Sequence, residues 1–257
     1  MVIERIRRYL DEEKFVARTH QEVFEVIAKH TSDKFAKELN IYLENSYPGI
    51  GFYRRVAEPV NGMAIYDYLV ARNRALIEDR MALQLSLGRF SGKGKILDVC
   101  SGTGYDACFL AQYFPNSMVI GIDSCTEMVE RARERAKRLK LDNAFFMPAS
   151  NDDIPFRNDT FNLVISNNGI TEGQFTTSVV ADRADAIRRV LVPGGRVFVS
   201  IPSDLSEECS EEDRKYEGIF LSNPFKKINF RDVAYQYLSN YDLDKMFFGE
   251  VIVSATK

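Results

Sequence analysis

The stretch ILDVCSGTGYDA, residues 96–107, decides the fold of this 257-residue chain. Its apolar run up to Val99 predicts a buried strand, and Gly102 and Gly104 predict a tight turn that leads into a helix. Beyond it, short apolar runs alternate with helical patterns as far as the run VIVS at 251–254. This alternation is typical of an α/β fold, in which helices cover both faces of a mostly parallel sheet.

The first 94 residues follow a different pattern. Apolar residues such as Ile6 and Leu10 recur at helical spacing and predict a helical N-terminal extension. A further helix is expected over about residues 63–87, ending before Gly88. We therefore expect a helical extension or lid over residues 1–94, followed by an α/β core over residues 95–257.

The charge balance and cysteine content exclude several classes of protein. The chain carries 34 Lys and Arg against 37 Asp and Glu, a net charge of −3 that gives little attraction for nucleic acid. No apolar run approaches the roughly 18 residues that span a bilayer. We expect no signal segment, since the first residues, MVIERIRRYLDEEKF, contain no apolar stretch, and the four cysteines form neither a CxxC pair nor a zinc spacing. We expect a cytoplasmic monomer or homodimer with reduced thiols, no membrane partner and no metal site.

An acidic residue, Asp123, ends the second apolar run, 19 residues after Gly104. A carboxylate in this place can accept hydrogen bonds from the two hydroxyls of a ribose. The loop glycines and the following helix N-terminus let the backbone approach a ligand closely. Because the two strand ends are adjacent in such sheets, the spacing predicts a site for a nucleoside-containing ligand.

Two nucleoside cofactors use this geometry. Residues 102–107 fit the GxGxxA fingerprint of dinucleotide-binding proteins, which is typical of an NAD(P)-dependent oxidoreductase. Asp98 argues against this interpretation, since a carboxylate inside the strand would repel a pyrophosphate but suits a cationic ligand. The residues therefore favour a sulfonium amino acid over NAD.

Four segments carry a resemblance to a known family: ILDVCSGTG (96–104), VIGIDSCTEMVERAR (119–133), IPFRNDTFNLVIS (154–166) and AIRRVLVPGGRVFVS (186–200). In order and spacing they resemble the motifs of class I S-adenosylmethionine (SAM)-dependent methyltransferases. The terminal FFGEVIVSATK resembles the last, antiparallel strand of that family. The resemblance implies a Rossmann-like seven-stranded, mostly parallel sheet with an antiparallel last strand. It also implies SAM as cofactor and methyl transfer to a small-molecule acceptor.

The resemblance further implies roles for individual residues. Asp98, Gly102 and Gly104 would line the methionine moiety of SAM, and Asp123 would hold its ribose. The other implied cofactor residues are Cys100, Ser101 and Thr103 in the loop, Ser124, Met128, Ser150, Asn151 and Asp152 around the adenine, Asn167 beneath the transferring methyl, and Tyr66 and Arg72 in the helix before the first core strand. For Tyr66 and Arg72 the alternatives are a core aromatic and a surface charge.

Three positions depart from the usual pattern of the family. Cys100 stands where Gly is frequent, so the first turn of the loop must accommodate a side chain. Ser150 stands where Asp is frequent, which leaves the adenine amino group to Ser150 or Asp152. Asn162 replaces a frequent Asp in the fourth strand, with little expected effect on the chemistry. These departures keep a catalytically silent, methyltransferase-like binding protein as an alternative.

Methyl transfer from a sulfonium is an in-line displacement, so the protein must align the reacting groups and exclude water. A general base is needed only when the acceptor arrives protonated, and no catalytic triad is required. His20 is a candidate base, and Glu172 is a candidate carboxylate that orients the acceptor. Both are also compatible with ordinary surface or loop positions.

The chemical class of the methyl acceptor can be inferred only by excluding alternatives. The sequence SNNGI at 166–170 lacks the [DN]-P-P-[YF] box of amide and nucleobase amino methyltransferases. No cysteine precedes Cys100, so the multi-thiol arrangement of arsenite methyltransferases is not expected. A small metabolite remains, covered by the N-terminal extension and by an insertion at residues 204–228.

A basic run at residues 131–140 alternates around a predicted helix. Met128, Ala132 and Ala136 share the opposite, inward-facing stripe of that helix. The Arg and Lys side chains are therefore expected to form a solvated face.

Overall fold

The computed structural model describes most of the α/β core and parts of the N-terminal extension. The described residues are 2–13, 49–60, 63–67, 90, 92–167, 169–170, 177–204, 226–236 and 247–257. Their helices are α1 (Val2–Glu12), α2 (Gly49–Val56), α3 (Tyr105–Tyr113), α4 (Thr126–Arg138) and α5 (Thr177–Val190). Their strands are β1 (Pro59–Val60), β2 (Met63–Ala64), β3 (Gly94–Val99), β4 (Ser117–Asp123), β5 (Ala144–Pro148), β6 (Phe161–Asn167), β7 (Leu191–Asp204), β8 (Lys226–Gln236) and β9 (Phe247–Thr256).

Seven strands form one sheet in the order β5-β4-β3-β6-β7-β9-β8. The pairs β5–β4, β4–β3, β3–β6 and β6–β7 are parallel, whereas β9 runs antiparallel to both β7 and β8. The predicted mostly parallel sheet with an antiparallel last strand is confirmed. The chain passes from β5 back across β3 to β6, so the strand order reverses beside β3. In open α/β sheets such a switch point is where ligands bind.

Helices cover both faces of this sheet. On one face, α1, α3 and α4 bury a cluster that includes Leu10, Phe109 and Val129. On the other, α5 packs Val180 and Ile187 against residues of β3, β6 and β7. The strands between two apolar layers must be apolar on both sides, which explains the continuous run in β3 that first indicated a parallel sheet.

The described part of the N-terminal extension packs against the core. Ile6 and Leu10 of α1 are fully buried, as their helical spacing predicts. Tyr9 lies between them, and its hydroxyl donates to the Tyr105 carbonyl oxygen at 2.9 Å. The Tyr9 ring meets the rings of Tyr105 and Phe109 edge to face, at centroid distances of 5.4 and 5.3 Å. Helix α1 is thereby fixed to the start of α3.

Of the helix expected over about residues 63–87, only residues 63–67 lie within the described part of the chain, and there the helix begins two residues later than expected. Met63 and Ala64 form β2, which pairs antiparallel with β1, and residues 65–67 are helical. The dipeptide Asn61-Gly62 explains the difference, since Asn-Gly between two short extended segments favours a hairpin over a helix.

Among the described helices, none combines the length and the apolar character that a bilayer crossing requires.

Candidate functional site

Residues 100–104, called the glycine loop below, join β3 to α3. Three of them have left-handed backbones: Cys100 with φ 61°, Gly102 with φ 51° and Gly104 with φ 74°. Glycine adopts this region without steric cost, whereas a side chain such as that of Cys100 is strained there by about 1 kcal/mol. The expectation that the first turn accommodates a side chain is confirmed.

The two loop glycines face different surroundings. A Cβ on Gly104 would lie 2.6 Å from Ala132 Cβ and 2.8 Å from the Phe146 ring, so Gly104 permits the close packing of α3 against α4 and β5. Among the residues that the structure describes, a Cβ on Gly102 would meet nothing within 4 Å. Gly102 therefore borders open space, as a loop that receives a ligand against its backbone requires.

Asp123, at the end of β4, holds the glycine loop from the side. Its Oδ2 accepts from the Gly102 N–H and its Oδ1 from the Cys125 N–H, both at 2.8 Å. Burial raises the pKa of the Asp123 carboxyl, and the hydrogen bonds from Cys125 and Gly102 partly oppose this shift. Each oxygen keeps a second acceptor position, so the carboxylate can also receive two ribose hydroxyls.

Two further polar groups lie at the carboxyl end of β3. Asp98 is 2% exposed and lies in register with Gly121 on β4 and Ile165 on β6. The Ser101 hydroxyl oxygen is buried and has no hydrogen-bond partner within the described residues. A buried, unsatisfied hydroxyl beside an open backbone is consistent with a site that a polar ligand completes.

Asn167 and Asp106 meet across the end of the sheet. Asn167 ends β6, and its side-chain amide donates to Asp106 Oδ2 in the first turn of α3. Asp106 is 8% exposed and was missed by sequence reasoning. The signal that could have found it is its position, since a carboxylate directly after a glycine loop is stabilised by the helix N-terminus.

The loop after β5 makes contacts with neighbouring segments. The Asn151 amide donates to the Gly169 carbonyl oxygen at 3.0 Å, and the Cys100 thiol donates to the same oxygen at 3.5 Å. The Asp152 N–H donates to Ser150 Oγ at 3.1 Å, and the Arg183 guanidinium donates to the Asp152 carboxylate at 2.6 Å. The ends of β3, β5 and β6 are thus tied together.

Three further predicted site residues, Ser124, Met128 and Tyr66, lie within the described part of the chain. Ser124 is exposed at the end of β4, whereas Met128 in α4 is buried. Tyr66 is half-buried in the helical turn at 65–67, next to Asp67. The predictions for His20, Arg72 and Glu172 fall outside the described residues.

Arg135 contradicts the expectation of a solvated basic face on α4. The predicted inward stripe is correct, but Arg135 lies on it and is only 2% exposed. The reason is periodicity, since position 135 follows Met128 and Ala132 at helical spacings of seven and three residues. Burial by itself lowers the pKa of Arg135, but the charges of Asp67 and Glu13 raise it well above its ordinary value.

Within the described ranges, no group of three or more His, Cys, Asp or Glu side chains could hold a metal ion. The glycine loop, Asp123 and the Asn167–Asp106 pair lie at the ends of β3, β4 and β6, at the switch point of the sheet.

Comparison with known proteins distinguishes between the two candidate nucleoside cofactors, SAM and NAD(P). A family model described as a methyltransferase domain matches residues 90–244, more than half of the chain. The chain belongs to the SAM-dependent methyltransferases. A second model, described as protein-L-isoaspartate(D-aspartate) O-methyltransferase, matches residues 5–153. SAM, rather than NAD(P), is the cofactor of this methyltransferase.

Several relatives are methyltransferases by name. An arsenite methyltransferase of Halobacterium salinarum is 30% identical over 181 residues, which cover 63% of this chain and 45% of that protein. A ubiquinone/menaquinone biosynthesis C-methyltransferase of Geotalea daltonii is 35% identical over 116 residues, covering 43% of this chain and 46% of that protein. The match thus spans about half the length of these curated relatives.

The architecture is also similar to that of solved methyltransferases. Geranyl diphosphate C-methyltransferase from Streptomyces coelicolor has a TM-score of 0.58 at 14% sequence identity, with 80% of this chain and 96% of that chain covered. At this identity the likeness concerns the fold alone. It agrees with the parallel sheet and switch point of the methyltransferase described above.

Proposed function

We propose that this methyltransferase transfers the methyl group of SAM to a small-molecule acceptor. The main support is the open space over Gly102 beside the Asp123 carboxylate, which suits a nucleoside cofactor. The small acceptor is supported by relatives whose names include arsenite and ubiquinone/menaquinone biosynthesis. The net charge of −3 disfavours a nucleic-acid acceptor.

In the proposed cofactor site, Gly102 lets the backbone approach SAM, and Asp123 accepts hydrogen bonds from its ribose hydroxyls. The negative charge of Asp98 complements the ammonium of the methionine moiety. The other proposed contacts come from segments around these three residues: Cys100, Ser101, Thr103 and Gly104 in the loop, Ser124, Met128, Ser150, Asn151 and Asp152 near the adenine, Asn167 near the methyl, and Tyr66 and Arg72 from the N-terminal extension.

SAM supplies an electrophilic methyl group on a sulfonium, so the residues of the chain need only bind, align and exclude water. The proposed Asp98 and Asp123 contacts hold the methionine and ribose groups on either side of the sulfonium and thereby fix the direction of the methyl. A base is required only for a protonated acceptor; His20 is the proposed base, and Glu172 is the proposed carboxylate that orients the acceptor. The extension over 1–94 and the insertion at 204–228 are the proposed walls of the acceptor side.

A labelling experiment tests the class of acceptor. A cell extract is separated by size into small molecules and macromolecules, and each fraction is incubated with the enzyme and methyl-labelled SAM. We expect label in the small-molecule fraction, and less of it at limiting SAM when Asp123→Ala replaces the wild-type enzyme. Label recovered only in nucleic acid would contradict the proposal.

Protein is the second candidate acceptor, because the protein-L-isoaspartate(D-aspartate) O-methyltransferase model matches residues 5–153. In the same experiment, this alternative predicts label in the protein fraction. A carboxyl methyl ester formed there would be released by mild base, whereas a methyl group on carbon or nitrogen would not.

A further inference from the structure

Three charged side chains from distant parts of the sequence meet in the interior, behind the glycine loop. They are Glu13 after α1, Asp67 after β2 and Arg135 in α4, and we call them the ion cluster. Glu13 is 1% exposed, Asp67 3% and Arg135 2%. Two of the three thus come from the N-terminal extension.

Arg135 connects the members of the ion cluster. Its Nε donates to Glu13 Oε2 at 2.8 Å, and its Nη2 lies 3.0 Å from Asp67 Oδ1. Arg138, whose side chain is 44% exposed, pairs with Glu13 at 3.2 Å. Two cations therefore balance two carboxylates.

The ion cluster holds Thr103 from two directions. Arg135 donates to the Thr103 carbonyl oxygen, and the Thr103 hydroxyl donates to Asp67 Oδ1 at 2.7 Å. Thr103 lies between Gly102 and Gly104, the two glycines with left-handed backbones. These contacts fix the peptide between Thr103 and Gly104 as well as the Thr103 side chain.

Such a cluster requires an explanation beyond stability. Removing charged groups from water costs much free energy. Well-packed apolar residues of similar volume therefore often stabilise a core as well as a buried ion pair does. Buried ionic groups do impose one geometry, because each hydrogen bond has a fixed direction. Here the geometry imposed is that of the loop proposed to receive SAM.

We propose that Arg135 and Asp67 are positioning residues that set the affinity for SAM by holding Thr103 and hence the glycine loop. In this arrangement the N-terminal extension contributes to the cofactor site as well as to the acceptor side. The inference rests on the proposed placement of SAM at the glycine loop.

The location of Tyr66 supports this assignment. Tyr66 precedes Asp67 in the same helical turn, and Asp67 is bonded to Thr103. The contact that orders the loop therefore also fixes the turn that carries a proposed cofactor residue. Loss of the Asp67 bond is expected to loosen both.

Binding of S-adenosylhomocysteine, measured by calorimetry, tests the proposal. Thr103→Val keeps the shape of the side chain and removes only its bond to Asp67. We expect this variant to bind about tenfold more weakly, because the loop loses the hydrogen bond that holds it in the binding geometry and has to be ordered when the ligand binds; the usual contribution of a bond to a charged group sets the size of this effect. A combined Glu13→Gln, Asp67→Asn and Arg135→Met variant removes all charges of the ion cluster together and is expected to bind at least as weakly. Arg135→Lys, which keeps the charge, should retain part of the affinity.

A control separates positioning from general destabilisation. Asn143 donates to the carbonyl oxygens of Ala111, Phe114 and Ser117, at the end of the sheet opposite the glycine loop. Asn143→Ala should lower the melting temperature without changing the affinity for S-adenosylhomocysteine. In the cofactor-free protein, hydrogen exchange of the peptide 100–107 should be faster in Thr103→Val and unchanged in Asn143→Ala.

The outcomes distinguish the positioning role of Arg135 and Asp67 from the cofactor site on which it rests. If folded Thr103→Val exchanges and binds like the wild type, the positioning role is wrong while the cofactor site stands. If the combined variant does not fold, Thr103→Val alone decides. If the wild-type protein does not bind S-adenosylhomocysteine, both the cofactor site and the positioning role are wrong.

Discussion

Gly102 and Gly104 show how two identical residues, two positions apart, serve different purposes. Both have left-handed backbones, but among the described residues only a Cβ added to Gly104 would lie against other side chains. The sequence predicts the turn from the glycine types, since the backbone requirement is local. Which glycine packs and which faces a ligand depends on α4 and β5, and hence on the tertiary structure.

Alanine is expected to affect mainly the stability of the fold at Gly104 and mainly the binding of the cofactor at Gly102. Gly104→Ala should lower the free energy of unfolding by about 2–4 kcal/mol, through overpacking against Ala132 and Phe146 together with backbone strain. Gly102→Ala should cost only about 1 kcal/mol of strain but weaken S-adenosylhomocysteine binding more than tenfold. Urea denaturation and calorimetry measure the two effects. Equal losses of stability in the two variants would contradict this division.

Asp123→Ala is expected to reduce the affinity for S-adenosylhomocysteine by about 1–3 kcal/mol, the cost of unpaired ribose hydrogen bonds. The structure adds a second effect, because the N–H groups of Gly102 and Cys125 also lose their acceptor. A lower melting temperature should therefore accompany the weaker binding. Calorimetry that gives an unchanged affinity would remove Asp123 from the proposed ribose site.

The raised pKa of Asp123 gives a pH dependence whose sign can be derived. The folded protein holds the proton of this carboxyl more tightly than the unfolded chain, so the stability it contributes is lost as pH rises through the raised pKa. Cofactor binding has the opposite sign, because ribose hydroxyls require the ionised acceptor. Affinity for S-adenosylhomocysteine should fall as pH falls from neutral toward mildly acidic values.

The control for this pH dependence is Asp123→Asn, which carries no titratable group at that position. Its affinity should be lower and should vary less with pH than that of the wild type. An identical pH profile in the two proteins would show that another group, such as Asp98, is responsible.

At the scale of the elements, β3 was predictable because its apolar run has to lie between two layers of helices. The helix near Met63 begins two residues later than predicted, because Met63 and Ala64 pair antiparallel with Pro59 and Val60, a pairing that the helical pattern does not reveal. The inward stripe of α4 was predictable from apolar periodicity. The same spacing places Arg135 on this stripe, but its burial was not predictable, since an arginine is buried only where carboxylates from other segments meet it.

Asn162 gives a test at the amino end of the sheet. Its Oδ1 accepts from the Lys95 N–H at 2.9 Å and thus joins β6 to β3, far from the glycine loop. Asn162→Ala should lower the free energy of unfolding by about 0.5–1.5 kcal/mol and leave S-adenosylhomocysteine binding unchanged. Urea denaturation and calorimetry provide the two readouts. A weakened affinity would mean that the ends of these strands are coupled through the sheet.

At the scale of the whole molecule, cofactor binding should stabilise the fold. A ligand present at 100 times its Kd stabilises the native state by about 2.7 kcal/mol. For a protein of this size, that corresponds to a rise in melting temperature of about 5–10 °C. Thermal denaturation with S-adenosylhomocysteine should show this rise, and NAD(H) at the same concentration should show none. A shift with NAD(H) alone would contradict SAM as the cofactor.

Local chemistry was sufficient to locate the parallel sheet, the glycine loop and Asp123, because each depends on a short segment and on the order of strands. Glycine spacing sets backbone conformation, and an acid at a strand end lies beside the loop of the adjacent strand. The ion cluster could be identified only in the tertiary structure, because Glu13, Asp67 and Arg135 come from three separate segments. In the sequence each of them has the character of an ordinary surface charge. The burial of a charge is a property of what surrounds it, and those surroundings exist only in the packed molecule.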